Sequence, residues 1–199
     1  MIIRYAEAGL AGLLLSGIIN IDYIKTDLPP VYRVTSSIVN SVIMPGLCLI
    51  FVHYYGFTYR FIVYSLLAVN LLYISNYDIR EQNVSLESIT VSVLGALAAL
   101  VWNRDNAWWF YILSGIAYGI VFLLASRITR GALGPGDALI IGTIGLYLGF
   151  LHTLTVVFYA LFLGGIISLI LFIMRKVSRQ TPLPFAPFLT AGFIVSILL

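Results

Sequence analysis

The chain has 199 residues, 61% of them hydrophobic and only 10% charged, whereas soluble domains carry about 25% charged residues. This excludes a soluble domain built around one large core and describes an integral membrane protein. The net charge of +3 is spread over separate loops, without a basic run or an aromatic stacking platform, which excludes nucleic-acid binding as a function class. A single cysteine, Cys48, excludes both an intrachain disulfide and a Cys-based zinc site.

A membrane-crossing helix takes roughly 20 apolar residues. In chain order, the candidates are Ala6 to Ile24, Ser36 to Tyr55, Tyr59 to Tyr77, Leu86 to Trp102, Ala107 to Ala125, Asp137 to Leu151, Leu154 to Met174 and Pro187 to Leu199. The expected fold is all-α, a polytopic membrane helix bundle of about eight transmembrane helices. Little chain remains outside the spans, so residues 1–199 read as one membrane-embedded domain. The first span lacks an Ala-x-Ala cleavage site and reads as a retained helix.

The loops give an orientation. With eight spans, the odd loops carry Lys25, Arg33, Arg80, Arg127, Arg130, Arg175, Lys176 and Arg179, while the other side carries Arg4, Arg60 and Arg104. The positive-inside rule puts the odd loops in the cytoplasm and both termini outside. Trp102, Trp108 and Trp109, with Tyr54, Tyr55 and Tyr59, suit an aromatic belt at the outer interface.

Two carboxylates stand out against this background. Asp78 ends the third span, in Tyr73-Ile74-Ser75-Asn76-Tyr77-Asp78-Ile79-Arg80, and Asp137 closes Gly134-Pro135-Gly136-Asp137 and opens the sixth. Two spans lie between them, so both fall on the cytoplasmic face. Ionisable residues at such positions are costly and point to function. The plain alternatives are a helix N-cap for Asp137 and a solvated loop residue paired with Arg80 for Asp78. Opposite helix ends set the two carboxylates apart in proton affinity. Aspartyl proteolysis uses that asymmetry: one carboxylate activates water while its protonated partner polarises the scissile carbonyl. Gly134 and Gly136 let the backbone bend and let another chain come close. Gly142, Gly145 and Gly149 offer one face for tight helix packing.

Four segments carry a family resemblance. They are Asp78-Ile79-Arg80-Glu81-Gln82-Asn83-Val84, Gly131-Ala132-Leu133-Gly134-Pro135-Gly136-Asp137, Leu183-Pro184-Phe185-Ala186-Pro187-Phe188-Leu189 and, more weakly, Ser16-Gly17-Ile18-Ile19-Asn20. In this order the chain resembles the type IV prepilin peptidases of the Gly-x-Gly-Asp aspartyl protease group, which includes preflagellin peptidases and presenilins. The resemblance implies Asp78 and Asp137 as the catalytic pair, with no metal or cofactor. The implied partner is a prepilin or pseudopilin precursor with a basic leader, cleaved after a glycine at the cytoplasmic face of the inner membrane. Gly134, Gly136, Arg80, Pro184 and Pro187 are the candidate substrate-binding residues, the prolines belonging to an irregular segment lining the active-site cavity. Ser85 stands where the family usually has proline, and Leu139 where a lysine is common. The first cytoplasmic loop, Lys25 to Thr35, lacks the larger Cys-x-x-Cys domain that many bacterial members associate with N-methylation, so the expectation is a peptidase that methylates poorly or not at all.

The remaining polar residues say less. His53 and His152 fall near outer span ends and read as structural or interfacial, Cys48 as a small buried apolar residue. Asp22, Asp27, Glu81 and Glu87 lie in or beside cytoplasmic loops, where they can steer a basic leader. Pro182 belongs with the chain breaks before the last span. Two rival functions are a small transporter or channel using the carboxylate pair, and a non-catalytic pilus assembly protein. No inverted repeat or matched pair of broken helices favours the transporter.

Overall fold

A computed structural model describes residues 2–25, 30–102, 107–129, 133–175 and 183–199. Expectations resting on Asp27, Arg104, Arg130, Gly131, Ala132, Lys176, Arg179 and Pro182, and on the side chains of Asp22, Lys25, Arg33 and Trp102, lie outside the described residues. The described residues form seven helices and no strand: α1 (Ile2–Lys25), α2 (Pro30–Tyr55), α3 (Tyr59–Glu81), α4 (Leu86–Trp102), α5 (Trp108–Ile128), α6 (Pro135–Ile173) and α7 (Ala186–Leu198). Four described segments, Ser36–Tyr55, Tyr59–Glu81, Trp108–Ile128 and Pro135–Ile173, are long and apolar enough to cross a membrane. The protein is an all-α, multi-pass membrane helix bundle. Large apolar side chains such as Leu14, Ile116, Leu124, Phe158 and Leu169 point outward, as lipid-facing helix surfaces require.

The chain divides into two compact units, Met1–Tyr73 and Ile74–Leu199. In the first, α1 and α2 form an antiparallel hairpin. A side chain at Gly12 would run into the backbone of Pro45, so glycine permits the close approach. Further along, the Asn20 side-chain amide donates to the Ser37 backbone carbonyl and the Ser41 hydroxyl, and the Asn40 side-chain amide donates to Asn20 Oδ1. Such interhelical amide bonds hold apolar helices together where no hydrophobic force does. Tyr5 Oη and His53 Nδ1 lie 3.0 Å apart at the other end. Against α2, the start of α3 packs Tyr64 edge-on to Phe51 and Tyr55, and the buried Cys48 sulfur lies 3.9 Å from the Ser65 hydroxyl.

In the second unit, α6 is the central element. Its 39 residues would measure about 58 Å as a straight rod, nearly twice the hydrocarbon core. It is not straight: Gly149 has φ 74° and ψ −175°, a conformation open essentially to glycine. The break leaves two arms, residues 135–148 and 150–173. Backbone groups freed at such a break need partners inside the membrane. The buried Thr153 hydroxyl donates to the Gly149 carbonyl at 2.6 Å, and the Tyr118 hydroxyl of α5 donates to the Phe150 carbonyl at 2.9 Å.

Each arm has its own neighbour. On the first arm Gly142 and Gly145 meet Gly115 and Gly119 of α5 so closely that an added methyl at Gly145 would lie 2.9 Å from the Gly115 Cα. Tyr147 reaches α4 by donating to the Ser92 carbonyl at 3.1 Å. On the second arm Gly192 of α7 faces Val156 and Ala160, while Phe188 covers Gly164. A methyl at Gly192 would lie 2.5 Å from the Val156 carbonyl oxygen. Gly192→Val should therefore destabilise the bundle by about 1–3 kcal/mol, measured by denaturant titration of the protein in detergent micelles. Gly165→Ala, with nothing within 4 Å of the new methyl, should match the parent protein. Equal stability of both variants would show that the α6–α7 approach is not tight.

Three expectations change. The third span runs on to Glu81, because Gln82 adopts φ 49° and its N–H closes the last turn on the Asp78 carbonyl at 2.9 Å; Asp78 thus sits inside α3 rather than after it. The expected sixth and seventh spans are the two arms of α6, but they meet directly at Gly149 rather than across a loop between Leu151 and Leu154. Gly149 faces α5 like Gly142 and Gly145, an added methyl lying 3.4 Å from the Tyr111 ring, but it also makes the break.

Candidate active site

Asp78 is the most buried of the described acidic residues in the second unit, 5% exposed. An ionised carboxylate at such a site needs hydrogen bonds. It finds them in a segment more than a hundred residues away. The Ala186 N–H donates to Asp78 Oδ2 at 3.0 Å, and the Phe185 amide serves the same carboxylate. These are the first amides of α7, which have no partner within their own helix and carry the positive end of its dipole. Pro187 follows at the second helical position. Having no N–H, it fixes the helix start without adding a competing donor. Pro184 and Pro187, both half-buried, therefore flank the Asp78 anchor.

Asp137 is half-buried in the first turn of α6, three residues after Gly134 at the N-cap position. Its carboxylate turns back onto the Gly134 amide, in the manner of the third helical residue of a capping box. A side chain on Gly134 would lie 3.1 Å from Asp137 Oδ2. Asp137 thus caps its helix from the third helical position and not as the N-cap residue itself.

The connection that brings the two together is short. After Gln82 the chain crosses as Asn83–Val84, and Ser85 opens α4 by accepting the Ser88 N–H at 3.2 Å. Helices α4 and α5 then carry the chain out and back, so that α6 begins beside this crossing. An added methyl at Gly136 would lie 2.9 Å from Val84 Cβ. The Asp78 carboxylate lies within electrostatic reach of Asp137. Two carboxylates, one buried under the α7 amides and one at the mouth of α6, can share a proton and hold a water between acid and base roles.

Arg80 is half-buried and bends back along α3, its Nε donating to the Asn76 carbonyl at 3.2 Å and its guanidinium lying 5.6 Å from the Tyr77 ring centre. A cavity of about 620 Å³ opens next to the carboxylates, with Tyr77 and Gly136 in its wall. The sequence identified both aspartates and the Leu183–Leu189 segment. It did not identify the Phe185 and Ala186 amides as the Asp78 partners, nor Val84 as the neighbour of Gly136. The only advance signal was Pro187, since a proline there announces a helix start with free amides.

Residues 65–169 match the type IV leader peptidase family. A curated relative, the prepilin leader peptidase/N-methyltransferase of Bacillus subtilis (strain 168), is 32% identical over 104 residues, which cover 52% of this chain and 41% of that protein. The chain thus aligns with less than half of its relative's length. No solved structure matches.

Proposed function

Because the chain belongs to the type IV leader peptidase family, we propose that it is an aspartic endopeptidase that removes the basic leader of prepilin-like precursors, cutting after a glycine at the cytoplasmic face of the inner membrane. The observation that carries this reading is the pairing of a buried Asp78 with Asp137 across the short Asn83–Ser85 crossing. In the proposed step one carboxylate takes a proton from water as it attacks the scissile carbonyl. The other, protonated, hydrogen-bonds the carbonyl oxygen, and the departing amine receives a proton as the tetrahedral intermediate collapses. Gly134 and Gly136 leave room for the extended substrate backbone. Arg80, Pro184 and Pro187 line its path, and membrane lipid holds its apolar segment. The whole of residues 1–199 acts as one peptidase domain, with methyl transfer poor or absent. Purified protein should convert a prepilin to its mature form, whereas a transporter or a non-catalytic assembly protein would release no leader.

The proposed orientation has its own test. Cysteines introduced at Arg33, Arg80, Arg130 and Arg179 should be labelled by an impermeant thiol reagent only from the cytoplasm, and one at Arg104 only from outside, where Met1 and Leu199 also lie. Outward labelling at Arg80 or Arg130 would put the carboxylates on the wrong face for a leader peptidase.

A further inference from the structure

Ser126 lies near the end of α5 and is 7% exposed. A hydroxyl inside a membrane helix commonly donates to a carbonyl of the preceding turn, as the Thr129, Thr143 and Thr190 hydroxyls do here, each to the residue four positions back. Ser126 instead donates across the α5–α6 connection to the Leu133 carbonyl, at 2.7 Å. That carbonyl shares its peptide group with the Gly134 N–H, and the Gly134 N–H serves the Asp137 carboxylate. The peptide is trans, so its C=O and N–H point opposite ways. One peptide plane is thus fixed from both sides, by a hydroxyl of α5 and by the carboxylate at the mouth of α6. Gly134 resists rotation of this plane less than any other residue would, so the restraint has to come from these partners. A donor on the carbonyl also polarises the amide and strengthens the bond that its N–H makes.

We propose that Ser126 is a positioning residue for the hydrolysis, holding the Leu133–Gly134 peptide so that the Asp137 carboxylate keeps one orientation toward the scissile bond. The proposal rests on the peptidase reading above. The Ser126 hydroxyl has one hydrogen to give, and the Leu133 carbonyl takes it, so the effect on Asp137 passes through the peptide. Without the hydroxyl the plane is held from one side only, and the carboxylate swings with it. Substrate then binds as before but meets a carboxylate that spends less time in the reactive orientation. The loss therefore falls on kcat and not on KM. If Ser126 only filled space between α5 and the loop, the loss would instead follow side-chain volume and ignore donor strength.

The test compares the full-length parent, Ser126→Cys and Ser126→Ala in detergent micelles, each made with nitrogen-labelled glycine so that the Gly134 amide can be followed by NMR. Cysteine has nearly the size of serine but is a weak donor. The Gly134 amide proton should move upfield in Ser126→Cys and further in Ser126→Ala, as its bond to Asp137 loosens. In prepilin cleavage, kcat per folded molecule should fall about tenfold in Ser126→Ala with KM unchanged, less than the roughly 10²-fold of a full 1 Å misplacement. Ser126→Cys should fall between the two. A cysteine variant that matches the parent in both readouts would make the role one of packing and overturn the proposal. So would a Gly134 signal that stays in place in the variants, or one that moves while kcat does not. If Ser126→Ala does not fold, the cysteine variant decides. If the parent itself cleaves no prepilin, the peptidase reading fails and the proposal with it, and the Gly134 signal separately reports whether Ser126 holds that peptide.

Discussion

Asp78→Asn and Asp137→Asn should each abolish prepilin cleavage while leaving the bundle folded. An amide has nearly the shape of a carboxylate, and asparagine in place of Asp78 would still offer an oxygen to the Ala186 N–H that now bonds the carboxylate at 3.0 Å. What it lacks is the capacity to take and return a proton. Loss of an acid–base group costs about 10²–10⁴ in rate, so each variant should show no mature pilin on the timescale at which the parent enzyme finishes. One carboxylate cannot be acid and base in the same step, so a single remaining aspartate should not rescue the reaction. Near-normal cleavage by either variant, with unchanged thermal stability, would sink the two-carboxylate mechanism.

The second large effect is expected at Gly136. An added methyl would lie 2.9 Å from Val84 Cβ and 3.1 Å from its Cγ2, closer than carbon atoms pack. Because Val84 is tied to the crossing that leaves Asp78, and Gly136 immediately precedes Asp137, the two segments would be pushed apart together with their carboxylates. A misplacement of about 1 Å can cost 10²-fold, so Gly136→Ala should lower kcat/KM by about 10–100-fold. Val84→Gly removes the atom that the methyl would strike, and the double variant should recover most of the loss, giving a coupling of about 0.5–3 kcal/mol in a double-mutant cycle. Strictly additive losses would show that the contact is not what confines Gly136 to glycine.

The legible and illegible parts of this molecule divide along physical lines. Hydropathy reports length and apolarity, so it located the starts of α3 and α4 at Tyr59 and Leu86. It is less exact about a backbone break made without a polar loop. It divided the sixth and seventh spans at His152-Thr153, whereas the backbone breaks a few residues earlier, at Gly149, and the polar groups that satisfy the break are the hydroxyls of Thr153 and of Tyr118 on another helix. Glycine alone does not place the break, since Gly142 and Gly145 nearby serve packing on α5. The end of α3 was set too early for a related reason. Asp78 and Arg80 look like loop residues by polarity, yet the helix holds both until Gln82 takes up a left-handed conformation. At the candidate site the two aspartates were conspicuous because charge is rare in such a chain. Their holders were not, since the Phe185 and Ala186 contribution is a pair of backbone amides, which every residue but proline possesses.

The shortness of the first arm of α6 has a consequence for the lipid. Residues 135–148 span about 21 Å at 1.5 Å per residue, well under a hydrocarbon thickness of about 30 Å. A segment that cannot cross the bilayer either draws the leaflets together around it or leaves an end below the surface. Asp137 stands at one end of this arm and Gly149 at the other. The depth of the Asp137 carboxylate is therefore a property of the protein and of the acyl chains around it jointly. The same polypeptide in a thinner or thicker membrane holds that carboxylate at a different distance from the surrounding water.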